Sequence, residues 1–269
     1  MTKWPWDHVY ILNLEHMKEK YDKLIYKLNK VGINKNIERF IATHGLKELP
    51  YGKEIMKTND KKEKWLLIDK MINKLKKTKV LNNYNYSKNI INKNMGYETK
   101  YIYPNLRPGE IGHLLSFIRI CKDAKQKKYK NILILEDDAS FDTKTFKTNF
   151  FNAYNNLPNK YDILFLGVND LHIWKMGEPI QINKYICKLR GIISPKHPYK
   201  NGGIYGTHAI ILNQKAIDTF IKNAIPITLP SDVLIGKLIN NYKLLKSYYI
   251  CGQLITASSD ISKSTTRKI

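Results

Sequence analysis

Glu136, Asp137 and Asp138 stand in a row directly behind the apolar run Ile132-Leu133-Ile134-Leu135. A buried strand that ends in three acids asks for positive charge at its tip. Along an extended strand alternate side chains face opposite sides, so Glu136 and Asp138 share one side and Asp137 takes the other. Two carboxylates ~4 Å apart repel by about 4 kcal/mol at an effective dielectric of ~20. A divalent cation or a group of basic side chains would offset that repulsion. Carboxylate and phosphate oxygens together are the ligand set that Mg²⁺ and Mn²⁺ prefer. Open α/β sheets bind ligands beyond the carboxyl ends of their strands, which is where these acids fall. The same triplet also suits a plain polar turn with Asp138 capping the next segment. By itself it does not separate a sugar transferase from a metal-dependent phosphohydrolase.

The elements that must position the triplet can be read from periodicity. Residues 8–14, "HVYILNL", form a buried strand. Met17, Tyr21, Leu24, Ile25, Leu28 and Val31 then recur at helical spacing until Gly32, and "IERFIA" at 37–42 gives a second strand. This β-α-β opening predicts a parallel sheet covered by helices. Residues 47–105 break the rhythm with polar sequence and one amphipathic helix, whose stripe is Trp65, Ile68, Met71, Ile72 and Leu75. They read as an insertion, either a lid or a solvated excursion. Pro108 suits the first turn of a long helix with Ile111, Leu114, Leu115 and Ile118 inward. Strands follow at the acid-tipped run, at 161–167 and at 204–212. Asn213 caps one further helix, and another starts behind Pro230. Strand-forming "KLLKSYYICG" closes the ordered part, and the polar tail from about 256 is expected to be loose. The whole is expected to be a single domain of 269 residues.

Composition excludes little. The chain carries 46 Lys and Arg against 23 Asp and Glu, a formal net charge of +23, which attracts phosphates, nucleic acids and anionic membranes. Lys and Asn crowd together, however, as AT-rich coding produces in every protein of a genome, so the charge identifies no partner. No helix-turn-helix, zinc-finger or RNA-recognition pattern is visible, and a specific nucleic-acid partner is not expected. Cys121, Cys187 and Cys251 are odd in number and far apart, which suggests unpaired thiols in a reducing compartment. No apolar run approaches the ~20 residues of a membrane span, and the first residues do not read as a signal peptide. The expected location is the cytoplasm.

Four stretches carry a wider resemblance: "VYILNLEHMKEKYDKL", "ERFIATHG", the long "RPGEIGHLLSFIRICKDAKQKKYKNILILEDDASF", and the pair "YGTHAIILNQKAIDTFI" and "PSDVLIGKLI". With them the chain resembles glycosyltransferase family 25, which holds lipooligosaccharide and collagen galactosyltransferases. The Lys- and Asn-rich form would suit a giant-virus member, in virion or host cytoplasm. The resemblance implies a GT-A type, Rossmann-like α/β fold with a mainly parallel central sheet flanked by helices. It implies inverting transfer of galactose or glucose from a UDP-sugar to a glycan or glycoprotein acceptor, dependent on Mn²⁺ or Mg²⁺. On this reading Asn13, Leu14, Ala42, Thr43 and Gly45 hold the uridine, with Gly45 allowing close backbone approach. Glu136 and Asp138 hold the metal, and Asp137 bonds sugar hydroxyls. Asp232, at a helix N-terminus that favours its ionised form, is the expected base. Glu110, His113, Tyr205 and His208 are candidates for the acceptor side. Glu110 also reads as a helix cap, and His113 and His208 as core histidines.

The chain departs from the family's pattern at four of these places. His113 stands for the usual Cys, Phe117 for His, Lys20 for Arg and Ile210 for an aromatic. Lys keeps the charge at position 20 but loses the bidentate fork. Phe117 cannot move a proton, which raises the alternative of an inactive, glycosyltransferase-like binding or scaffold module. No histidine follows His208, so Asp260 or water would have to complete the metal's ligands.

Overall fold

In the computed structural model, the described residues are 3–77, 106–158, 160–168, 180–188, 204, 206–225, 227–240 and 242–257. The chain opens as β1 (His8–Asn13), a 3-10 turn (Glu15–Met17), α1 (Lys18–Lys30) and β2 (Ile37–Ile41). Three helices follow: α2 (Gly45–Glu48), α3 (Gly52–Lys57) and α4 (Lys61–Lys76). The long α5 (Pro108–Gln126) leads to β3 (Asn131–Glu136), and β4 (Ala139–Ser140) comes just beyond the acids. Next are α6 (Phe146–Tyr154), β5 (Ile163–Gly167), β6 (Ile180–Gln181), β7 (Ile186–Lys188) and β8 (Ala209–Asn213). The last elements are α7 (Gln214–Asn223), α8 (Ser231–Asn240), β9 (Ser247–Ile250) and β10 (Thr256–Ala257).

Eight strands form one sheet in the order β2-β1-β3-β8-β5-β9-β7-β6. Strand β1 runs parallel to both β2 and β3, and β5 runs parallel to β9. Strands β8 and β7 run against their neighbours. Six of these eight strands therefore share one direction, the mainly parallel mixed α/β sheet expected, with two reversed strands set into it. Strand β3 is central, paired with β1 (Leu12 opposite Glu136) and with β8 (Leu135 opposite Ala209).

Alternation along the strands sorts the core into two layers. Tyr10, Leu12, Ile132, Ile134, Ile210 and Leu212 face a core shared with Leu115 and Ile118 of α5, Phe220 of α7 and Leu234 of α8. Val9, Ile11, Leu133, Leu135, Ile211 and Leu164 face the other, with Leu24 and Leu28 of α1 and Phe150 of α6. Burying one such side chain stabilises the fold by roughly 1.5–3 kcal/mol. Asn213 caps α7 by accepting from the Ala216 amide at 2.9 Å, and Pro108 opens α5, both as the sequence predicts.

Residues 47–77 are more tightly integrated than a solvated excursion. Leu49, Ile55, Ile68, Met71, Ile72 and Leu75 all join the core beside α5. Trp65 leaves the predicted stripe and is 41% exposed, while Lys64 is buried. Both positions lie within one turn of Ile68, so helical spacing does not explain which of them is buried. The rest of the insertion and the tail from 258 lie outside the described residues.

The cysteine reading needs correction. Cys187 and Cys251 form a disulfide, with Cα atoms 5.5 Å apart, and Cys121 alone is a buried free thiol among the described residues. The antiparallel pairing of β7 with β9 brings together two cysteines 64 residues apart, which linear spacing cannot show. Disulfides persist in oxidising surroundings, so the cysteines give no ground for a reducing compartment. Among the described residues no helix is long and apolar enough to cross a membrane.

Close helix contact replaces side chains where α2 meets α5. A Cβ on Gly112 would lie 2.4 Å from the Thr43 carbonyl oxygen, and one on Gly45 would lie 1.8 Å from that of Pro108. Backbone cannot yield as a flexible side chain can. Gly112→Ala should therefore cost roughly 1–3 kcal/mol, seen as a melting temperature lower by roughly 2–12 °C. An unchanged melt would show that α2 and α5 can part without loss.

Candidate active site

A cleft open to solvent lies at the carboxyl ends of β1, β2 and β3. Leu14, Ala42, Thr43, His44 and Gly45 line one part, Arg107, Pro108, Gly109 and His113 another, and Lys20 with Glu136, Asp137 and Asp138 the floor. The structure thus brings together most of the residues expected to bind the nucleotide-sugar and metal, and adds Lys20, His44 and Arg107.

The two layers of the fold supply different partners to consecutive acids. Glu136, the last residue of β3, continues the even-numbered face and meets α5: its Oε1 lies 3.2 Å from His113 Nε2. That is an ion-pair contact off the line of an ideal hydrogen bond. The Thr207 hydroxyl donates to the same oxygen at 3.0 Å, and the Glu136 amide donates to the His208 carbonyl at 2.9 Å. Asp137 turns to the α1 side, accepting from Asn13 Nδ2 at 2.7 Å and lying 3.8 Å from Lys20 Nζ. Asp138 Oδ1 is buried without a hydrogen-bond partner.

Protonation follows these contacts. Burial works to raise the Glu136 carboxyl, but the His113 imidazole, with His208 and Thr207, overrides it and brings the pKa down to about 2. The His113 imidazole is raised, since Glu136, Asp232 and Asp138 together outweigh its burial. Asp137 is raised by burial, against the opposing pull of Asn13 and Lys20. Asp138 is lifted to about 7 by burial and by the Glu136 and Asp137 carboxylates.

Asp232 sits in the first turn of α8, accepting from the Gly206 amide at 3.0 Å and the Val233 amide at 2.8 Å. Burial raises its carboxyl against those two bonds and His113. Its neighbour Ser231 contacts His113 Nδ1 at 2.7 Å, which links α8 to the cleft. Sequence reasoning missed Ser231 and Thr207; their only signals were a hydroxyl beside Asp232 and one beside His208.

Several expected site residues do other work. Asn13 is buried, and its amide is shared among Asp137, the Met17 carbonyl and Arg39 Nε, so it holds Asp137 in place. Gly45 lines the cleft, yet the space its missing side chain leaves is filled by Pro108. Glu110 Oε2 accepts from the Arg107 amide at 2.7 Å, the capping role read for it. His208 does not line a cleft: it is 1% exposed, with Nε2 on the Ile255 carbonyl at 3.1 Å. Antiparallel β8 starts at the cleft end of the sheet, but the His208 ring is packed beneath the Ile255 carbonyl and against Gly167. Phe117 is buried against Phe220, ring centroids 4.8 Å apart, so that departure falls in the core. Tyr205 and Asp260 lie outside the described residues.

Asp138 Oδ1, an orphaned buried oxygen among neighbouring carboxylates, is what a hard divalent cation would satisfy. Among the described residues no three His, Cys, Asp or Glu side chains form a complete cage, so oxygens from a ligand or water would have to share the coordination.

The family model for glycosyltransferase family 25, described as an LPS biosynthesis protein, matches residues 6–235. A relative from Drosophila pseudoobscura pseudoobscura, named "Glycosyltransferase 25 family member", is 27% identical over 168 residues. That match covers 62% of this chain but only 21% of the relative's length. Among solved structures, the chain is similar to the mannose-1-phosphate geranyltransferase of Thermus thermophilus, with a TM-score of 0.29 and 10% identity. That likeness covers 54% of this chain and 50% of the other.

The charge pattern predicts how stability varies with pH. Asp138 holds its proton in the fold up to about pH 7, whereas the unfolded chain releases it near 3.8. Its ionisation therefore destabilises the fold at pH 8, and the penalty is relieved as pH falls through 7 toward 4. Asp138→Asn should raise the melting temperature most at pH 8 in chelator, with the gain shrinking toward pH 4. Glu136→Gln should do the opposite at neutral pH, since the Glu136 contribution is present above 4.5 and lost as pH falls toward 2. Melts of both variants across that range check it; parallel shifts at every pH would contradict it.

Proposed function

The chain belongs to glycosyltransferase family 25, and from that premise we propose that it transfers galactose or glucose from a UDP-sugar to a glycan or glycoprotein acceptor, with inversion and with Mn²⁺ or Mg²⁺. The observation that carries this reading is the partnerless Oδ1 of Asp138, beside two carboxylates that do have partners. A diphosphate could not approach three acids without compensating charge.

Glu136 and Asp138 would hold the cation, which when bound neutralises charge on the departing diphosphate. Lys20 adds a fixed positive charge on the same floor. Leu14, Ala42, Thr43 and Gly45 form the wall against which the uridine lies. Asp137, fixed by Asn13 and Lys20, accepts from hydroxyls of the transferred sugar. Asp232 takes the proton of the acceptor hydroxyl. Its raised carboxyl makes it a stronger base than a solvated aspartate, while the Gly206 and Val233 amides and the start of α8 favour the ionised form it needs.

A panel of nucleotide-sugars incubated with Mn²⁺ or EDTA, read by released nucleoside diphosphate, tests the reading. One UDP-sugar should be slowly hydrolysed with Mn²⁺ and spared in EDTA. Turnover indifferent to EDTA would remove the metal. UDP binding with no turnover of any donor would favour the inactive binding module instead. Asp232→Asn should lower kcat by roughly 10²–10⁴ and leave the donor KM alone; wild-type kcat in that variant would remove the base.

A further inference from the structure

Glu136 and Asp232 are joined by a closed ring of contacts. Ser231 Oγ meets His113 Nδ1 at 2.7 Å, and His113 Nε2 meets Glu136 Oε1 at 3.2 Å. Glu136 Oε1 accepts from the Thr207 hydroxyl at 3.0 Å. The adjacent Gly206 amide then donates to Asp232 at 3.0 Å, and one peptide bond from Asp232 to Ser231 closes the circuit. The ring crosses four segments distant in sequence: α5, the end of β3, the approach to β8 and the start of α8.

We propose that His113 is a positioning residue for the transfer, holding the tip of β3 in register with Asp232, while Thr207-Gly206 forms the second strap. The inference rests on the function proposed above. An inverting transfer needs donor and base fixed on opposite sides of the reacting carbon, and a misplacement of ~1 Å can cost ~10²-fold in rate. A single strap would leave Asp232 free to swing about it; two straps at different points do not. The imidazole suits the task because its two nitrogens are rigidly placed and each meets one partner. His113 also packs on Phe117 at 6.2 Å between ring centroids, with Phe117 locked against Phe220. The ring is thus seated from behind by the core.

The test uses His113→Gln, His113→Asn, Ser231→Ala and the double variant His113→Asn/Ser231→Ala. Melting curves show which variants fold. Calorimetry measures UDP binding with Mn²⁺, and donor hydrolysis with water as acceptor yields kcat and KM. Each single variant should bind UDP within about twofold of wild type with unchanged donor KM. Its kcat should fall by roughly 10–100-fold, and the double variant should be no worse than the poorer single one. Losses that multiply in the double variant, or that fall on UDP affinity with kcat intact, would overturn the proposal.

Nitrogen-15 NMR of uniformly labelled protein keeps this outcome separate from the function. Ser231→Ala should shift both His113 ring nitrogens and the Gly206 amide, whether or not any donor turns over. Absence of turnover in the wild type with those shifts present would sink the proposed function and leave the ring standing. Unmoved resonances would sink the ring.

Discussion

Mutual repulsion among Glu136, Asp137 and Asp138 is the constraint around which the cleft is arranged. A strand buried between β1 and β8 delivers all three to one spot. Two repulsions are answered from within the chain. Glu136 has His113 and Thr207; Asp137 has Asn13 and Lys20. Asp138 Oδ1 has no hydrogen-bond partner, and burial together with the Glu136 and Asp137 carboxylates lifts its carboxyl to about 7 against the pull of Lys20. An isolated buried charge without a partner costs several kcal/mol, so a fold that retains one normally has a ligand for it.

The sheet divides the work between its faces. Because side chains alternate, the α5 layer supplies the partner of Glu136 and the α1 layer that of Asp137. Close backbone packing of α2 on α5 at Gly45 and Gly112 sets the cleft's width, since both the 42–45 wall and His113 ride on those elements. On the far side, β10 pairs with β4 immediately after the acids. The segment between the disulfide and β10 is seated on Gly167, whose missing side chain leaves room for the Ile255 carbonyl. The turn that carries Asp138 is therefore held from both ends.

Much of this was legible in the residue order. The opposite partners of Glu136 and Asp137, the Asn213 cap and the Pro108 helix start all follow from local rules that tertiary packing did not override. Strand β3 ends at Glu136, so alternation does not place Asp138, which lies in the turn. Asp232 does not itself line the cleft; it is linked to it through Ser231, which contacts the cleft residue His113. What failed to show was non-local. Cys187 and Cys251 meet only because β7 and β9 pair in the sheet. His208 reads as a cleft residue, and only the return of the chain at Ile255, 47 residues later, covers it. Asn13 lies in the right turn, yet its amide is consumed by Asp137, Met17 and Arg39, which no one-dimensional pattern reveals. Phe117 looked like a lost catalyst in the sequence and proves to be core. Lys64 is buried and Trp65 exposed although both lie within a turn of Ile68, which helical spacing alone does not decide.

The central claim is that the unanswered charge on Asp138 is completed by a cation shared with a nucleoside diphosphate. Isothermal calorimetry of UDP, titrated into wild type and Asp138→Ala with Mn²⁺ or EDTA, tests it most directly. The account predicts cooperative binding, with UDP tight in Mn²⁺, weak in EDTA, and weak in the variant under either condition. UDP binding that is equally strong in EDTA, or that survives Asp138→Ala in full, would contradict it and return the three acids to an ordinary turn.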